Sequence, residues 1–179
     1  MPNALVFGDS TAGAPGTAAA TVLRANGYQV TVIHNDGKSP IVQTRAPYWA
    51  QYVNAARGAD VVLLIFGSNS SASTAHRVAL EKLRDGVRPP VLMSGPPIYN
   101  AERRPIGDAL RAMNAQVFGP RYIDAYPHTS LSLPRAPDGV HLTAAGAVPW
   151  GTAMARGVMD FMADPSSYPR VGGASRNPT

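Results

Sequence analysis

Ser10 closes the first apolar stretch of the chain as part of Gly8-Asp9-Ser10, and far downstream the chain reads Asp138-Gly139-Val140-His141. A serine, a histidine and an aspartate are the residue types that supply a nucleophile, its base and a carboxylate to orient the base. A serine hydroxyl is a poor nucleophile until a base takes its proton. A carboxylate three residues before the histidine can hold one ring nitrogen while the other faces outward. Acyl transfer also needs hydrogen-bond donors for the developing oxyanion. Gly37 offers an amide that a substrate can approach with no Cβ in the way, Asn69 offers a side-chain amide, and the backbone amide of Ser10 offers a third donor.

These residues need a scaffold that brings distant segments to one edge. Residues 4–7 form a short apolar strand, and 17–26 read as a helix with Gly27 at its C-cap. The unit repeats as a β-branched strand over 29–34, the turn Asn35-Asp36-Gly37, and a helical pattern over 47–57. The apolar run 60–66 fits a central strand covered on both faces, and a helix over 72–84 follows, with Ser71 or Ser73 placed to cap it. A fourth strand over 90–94 should begin pairing at Val91, because prolines cannot donate ladder hydrogen bonds. A helix within 100–118, a short strand over 122–124 and a long helix over 143–162 complete the pattern. Strands alternating with helices predict a three-layer α/β/α sandwich on a five-stranded parallel sheet. Polar sites in such sheets lie beyond the carboxyl ends of the strands. Gly8-Asp9-Ser10, Asn35-Asp36-Gly37 and Gly67-Ser68-Asn69 each follow a strand and should meet there.

The composition sets bounds on what the chain does. Its 179 residues, 45% hydrophobic, suit one domain over 1–163 with an irregular segment over 164–179 rich in Pro, Ser, Gly, Arg and Asn. The absence of cysteine removes disulfides, thiolate metal sites and a cysteine nucleophile. The net charge of +5 comes from scattered residues, with Arg103-Arg104 the one adjacent basic pair, so a nucleic-acid partner is not expected. No leader or bilayer-spanning run is read, and the expectation is a soluble protein, cytoplasmic or part of a larger assembly, with a mature secreted form left open. The terminal segment is a candidate contact for a homo-oligomer or a larger assembly such as a virion, in which the chain would be a binding or structural subunit with or without activity.

Several polar and aromatic residues have simpler readings. Asp9 is expected to stabilise its turn rather than to act as an acid. His34, His76 and His128, near Asp36 and Asp124 in sequence, lack metal-ligand spacing and read as surface or loop histidines, so no metal is assigned. Tyr48, Trp49 and Tyr52 read as core or partly buried packing rather than a sugar platform, and Met154, Met159 and Met162 as core filling.

Taken together, these motifs resemble the SGNH hydrolases, the serine esterases and lipases also called GDSL. Gly8-Asp9-Ser10 is similar to the first family block, Gly37 to the second, Gly67-Ser68-Asn69 to the third and Asp138-Gly139-Val140-His141 to the fifth. The likeness spans residues 4 to about 162. It implies the flavodoxin-like SGNH fold, Ser10 as nucleophile, His141 as base, Asp138 as its carboxylate, and Ser10, Gly37 and Asn69 as the oxyanion hole. It also implies hydrolysis or transfer of acyl groups without a cofactor. A short acyl ester, such as an O-acetylated carbohydrate, is the expected substrate. Thr11 stands where the family usually has leucine, and Ser70 where an aspartate often follows the asparagine. Asn35-Asp36-Gly37 also reads as a plain turn.

Overall fold

The computed structural model describes residues 1–168. Five parallel strands, β1 (Asn3–Gly8), β2 (Gln29–His34), β3 (Val61–Ile65), β4 (Val91–Ser94) and β5 (Tyr122–Ile123), form one sheet in the order β2-β1-β3-β4-β5. The helices are α1 (Gly13–Ala25), α2 (Pro40–Gln43), α3 (Tyr48–Ala56), α4 (Thr74–Asp85), α5 (Arg104–Phe118) and α6 (Ala144–Ala163). This is the doubly wound α/β/α sandwich expected from the alternation of strands and helices.

Strand alternation divides the core into two layers. Val6, Leu63, Ile65 and Leu92 face one side, where Leu23 of α1 and Trp150, Met154, Val158 and Phe161 of α6 cover them. Leu5, Phe7, Val62, Leu64 and Met93 face the other, against Tyr52, Leu80, Leu83, Val117 and Phe118. β3 is buried at every position, as a central strand covered on both faces must be. Pairing of β4 with β3 begins at Val91 opposite Val62, and Pro90 still contributes its carbonyl to the amide of Val62.

Three local readings need revision. α1 begins at Gly13, earlier than the expected 17, because Pro15 is tolerated in a first turn and Gly16 seats that turn against Val6. The short α2 was not anticipated, since four residues carry no helical period. His76 is not a surface residue: it lies on the inner face of α4 with 1% exposure. The aromatic group is packing, with Tyr52 fully buried, its hydroxyl donating to Leu83 O at 2.7 Å and its ring 4.8 Å from that of Phe7. Met154 is buried, with Met159 and Met162 packed at the edge of the same core.

Helix capping places the loops that matter for the site. Ser73 Oγ accepts from the amide of His76 at 3.2 Å, and Thr143 Oγ1 accepts from Gly146 at 3.3 Å. The Thr143 amide also donates to Pro134 O at 3.0 Å, which ties the start of α6 to the loop before it. After α6, Asp164 caps a short turn and the Tyr168 ring meets Phe161 edge-on at 5.2 Å. The rest of the proposed terminal segment, 169–179, lies outside the described residues.

Candidate active site

In a sheet of this order, β2 and β3 lie on opposite sides of β1, and the crevice opens at the carboxyl ends of β1 and β3. Ser10 leaves the end of β1 there, as the first residue of a short 3-10 turn over Ser10–Ala12. The approach of the strands at this point requires glycine. A Cβ on Gly8 would stand 1.9 Å from Ile65 O, and one on Gly67 would stand 2.0 Å from Thr11 Oγ1.

Asp9, with no exposed surface, joins the two loops. Its Oδ1 accepts from the Thr11 amide at 2.8 Å, and its Oδ2 accepts from the Gly67 amide at 3.0 Å and from Asn69 Nδ2 at 2.8 Å. Burial raises the pKa of this carboxyl, and the hydrogen bonds from Gly67, Thr11 and Asn69 oppose that rise. Asp9 therefore has the structural role expected from the sequence, but reaches further than its own turn. One of the two protons on Asn69 Nδ2 is spent on Asp9, which fixes the orientation of the amide.

The loop before α6 carries Asp138 and His141 to the same edge. His141 Nε2 lies 2.9 Å from Ser10 Oγ, and His141 Nδ1 lies 2.6 Å from Asp138 Oδ2. Because a carboxylate faces Nδ1, that nitrogen carries the proton and Nε2 is left to accept from the serine hydroxyl. Asp138 Oδ1 also accepts from the amides of Val140 at 2.8 Å and His141 at 3.0 Å. The His141 side chain, followed by these two amides, holds the Asp138 carboxyl well below the usual carboxylate range. Both side chains are open to solvent, at 37% for His141 and 48% for Asp138.

Arg135 braces this loop and was not singled out by the sequence. Its guanidinium donates to Val140 O at 3.0 Å and to Ile98 O at 2.9 Å, while the Ala136 amide donates to His141 O at 2.8 Å. The partners of Arg135 are backbone carbonyls, so no spacing of charged residues could reveal it.

The remaining sequence-predicted residues fall in two places. Asn69 follows β3 and is held as described. Gly37 follows β2 in an exposed turn with φ of +69° and nothing within 4 Å of where a Cβ would be. That is the conformation of a plain glycine turn, and it also leaves the amide approachable. A cleft of about 300 Å³ adjoins the serine, lined by Ser10, Thr11, Ala14, Pro15, His141 and Leu142, with His34 and Asp36 completing it. Among the described residues, no group of three or more His, Asp or Glu is placed to hold a metal ion. No described helix is long and apolar enough to cross a membrane.

No protein-family model matches the chain, and no curated protein has a significantly similar sequence. Solved structures do match. A protein assigned as an SGNH hydrolase from Slackia heliotrinireducens is 18% identical over 88% of this chain and 98% of its own, with a TM-score of 0.64. The C-terminal catalytic domain of peptidoglycan O-acetyltransferase A from Streptococcus pneumoniae is 16% identical over 90% of this chain and 95% of its own, with a TM-score of 0.63. The acetyl xylan esterase AlAXEase is 17% identical over 87% of this chain and 99% of its own, with a TM-score of 0.55. The chain has the fold of the SGNH hydrolases.

Proposed function

We propose that the protein is a serine esterase that cleaves short acyl esters through an acyl-enzyme on Ser10. The observation that carries this reading is the unbroken relay Ser10 Oγ, His141 Nε2, His141 Nδ1, Asp138 Oδ2, whose members lie 131 residues apart in sequence at the Ser10–His141 link. Ser10 Oγ attacks the ester carbonyl carbon as its proton passes to His141 Nε2. Asp138 holds Nδ1–H and stabilises the imidazolium. The amides of Ser10 and Gly37 and the side chain of Asn69 receive the oxyanion. The Ser10 amide is the first of its turn, where no intrahelical acceptor exists, and Asn69 is held in place by Asp9. Collapse of the tetrahedral intermediate breaks the bond to the alcohol oxygen, which His141 protonates. A water then loses a proton to His141 and attacks the acyl carbon, and the bond to Ser10 Oγ breaks as His141 passes that proton to the serine oxygen and the acid leaves.

The size of the cleft supports a small substrate, since about 300 Å³ lies at the lower end of the range for small-molecule sites. An O-acetylated carbohydrate is the favoured substrate, and the names of two structural neighbours refer to acetyl groups on peptidoglycan or xylan. Ser10→Ala is expected to abolish release of p-nitrophenol from p-nitrophenyl acetate while the circular dichroism spectrum stays that of the parent. Turnover undiminished by that substitution would overturn the assignment.

A further inference from the structure

A second imidazole and carboxylate pair lies in the same cleft. His34, the last residue of β2, places Nδ1 2.8 Å from Asp36 Oδ1, and both residues line the cleft with Ser10 and His141. Their side chains are 43% and 72% exposed, so neither is sealed in the core. The far edge of the His34 ring lies over the start of α1, with Cε1 and Nε2 at 3.9 and 4.0 Å from where a Cβ on Gly13 would be.

The segment that carries the pair is fixed relative to Ser10. The Asn35 amide donates to Gly8 O at 2.9 Å, and Asn35 Nδ2 donates to Gln43 Oε1 at 3.2 Å and Gln51 Oε1 at 3.1 Å. The fully buried Gln43 donates from Nε2 to Gly8 O at 3.0 Å and to Lys38 O at 2.9 Å. Gly8 thus anchors both the β2 turn and the strand end that presents Ser10.

The lining of the cleft assigns it to one half of the substrate. It includes His141, the group that must protonate the leaving oxygen, and Ser10 itself, whereas Asn69 and Gly37, two of the three proposed oxyanion donors, do not line it. The alcohol therefore occupies this side. Asp36 faces Nδ1 of His34, so in the neutral ring the proton sits on Nδ1 and Nε2 is an acceptor on a residue of the cleft wall. Asp36 adds carboxylate oxygens, which also only accept. The wall therefore matches hydrogen-bond donors on the alcohol.

We propose that His34 and Asp36 form an alcohol-side subsite selecting acyl esters of polyols that keep a free hydroxyl close to the ester oxygen. The proposal rests on the reading of Ser10 as nucleophile and His141 as the acid for the leaving group. A hydroxyl that donates to this solvent-exposed wall exchanges a hydrogen bond to water for one to the protein, so selection of up to about tenfold is expected.

The test compares kcat/KM for 1-glyceryl monoacetate, n-propyl acetate and 2,3-dimethoxypropyl acetate, whose alcohol portions carry, beyond the ester oxygen, hydroxyls, no oxygen, or ether oxygens without protons. The parent enzyme should favour the glyceryl ester over both others by about tenfold. In His34→Leu the preference should fall at least about fivefold, and His34→Gln, whose amide oxygen still accepts, should retain part of it. Equal use of the glyceryl and propyl esters, a preference unmoved in His34→Leu, or acceptance of the dimethoxy ester as well as the glyceryl ester would overturn the subsite alone. Full turnover by Ser10→Ala, or none by the parent on all three esters, would overturn the catalytic reading beneath it.

Discussion

His76 should make the fold sensitive to mild acid. Its imidazole is buried at 1% exposure, Nδ1 lies 2.5 Å from Ser70 Oγ, and Nε2 has no hydrogen-bond partner. Burial disfavours the charged ring and lowers its pKa from the ordinary 6.5 to about 4. The unfolded chain therefore binds a proton between these values while the folded chain does not, and stability falls as pH falls through that window. One pKa unit is worth ~1.4 kcal/mol, so the loss is about 2 kcal/mol by pH 5 and about 3 kcal/mol by pH 4. Above the ordinary value the effect vanishes. Asp9 works in the opposite sense, because its raised pKa favours the folded state as the carboxyl takes up a proton. Comparing the parent with His76→Gln cancels that contribution, since Asp9 is common to both. Urea unfolding between pH 7 and pH 4 should show a steep decline in the parent and a decline shallower by about 2 kcal/mol at pH 5 in the variant. Parallel pH profiles would refute the assignment of a neutral, buried imidazole. The effect also bears on the site, because His76 holds Ser70, the neighbour of Asn69.

Two further substitutions probe the site's framework. Asp138→Asn should lower kcat for p-nitrophenyl acetate by about 10³-fold, because an amide no longer fixes the productive tautomer of His141, and steady-state kinetics would measure it. Gly8→Ala should cost about 3 kcal/mol in urea unfolding, because the new Cβ would fall 1.9 Å from Ile65 O and force β1 from β3; a loss under ~0.5 kcal/mol would contradict the close approach.

The sheet was legible because β1, β3 and β4 are short apolar runs that stop near a glycine and β2 is a β-branched run before a turn, and the unbroken apolar character of β3 marks its central place. Helix starts were less so. At α1 the composition Gly13-Ala14-Pro15-Gly16 hides a turn that forms only because it packs against the sheet. The burial of His76 was equally hidden, since a histidine beside a capping serine reads the same on either face of a helix. For the candidate site, residue type and order were enough to nominate Ser10, Asp138 and His141, which the fold brings within hydrogen-bond reach. Arg135, Gln43 and the pairing of His34 with Asp36 act through loop carbonyls or across a turn, and loop conformation is what a linear pattern does not contain.

The central claim is that His141 activates Ser10, and a fluorophosphonate probe addresses it directly. Ser10 Oγ would form a bond to phosphorus as fluoride leaves and the serine proton passes to His141. Intact-mass and peptide spectrometry should find one probe per folded chain, on Ser10, with labelling strongly slowed in His141→Ala. A folded protein that takes up no probe, or takes it up on another serine such as Ser70, would contradict the account.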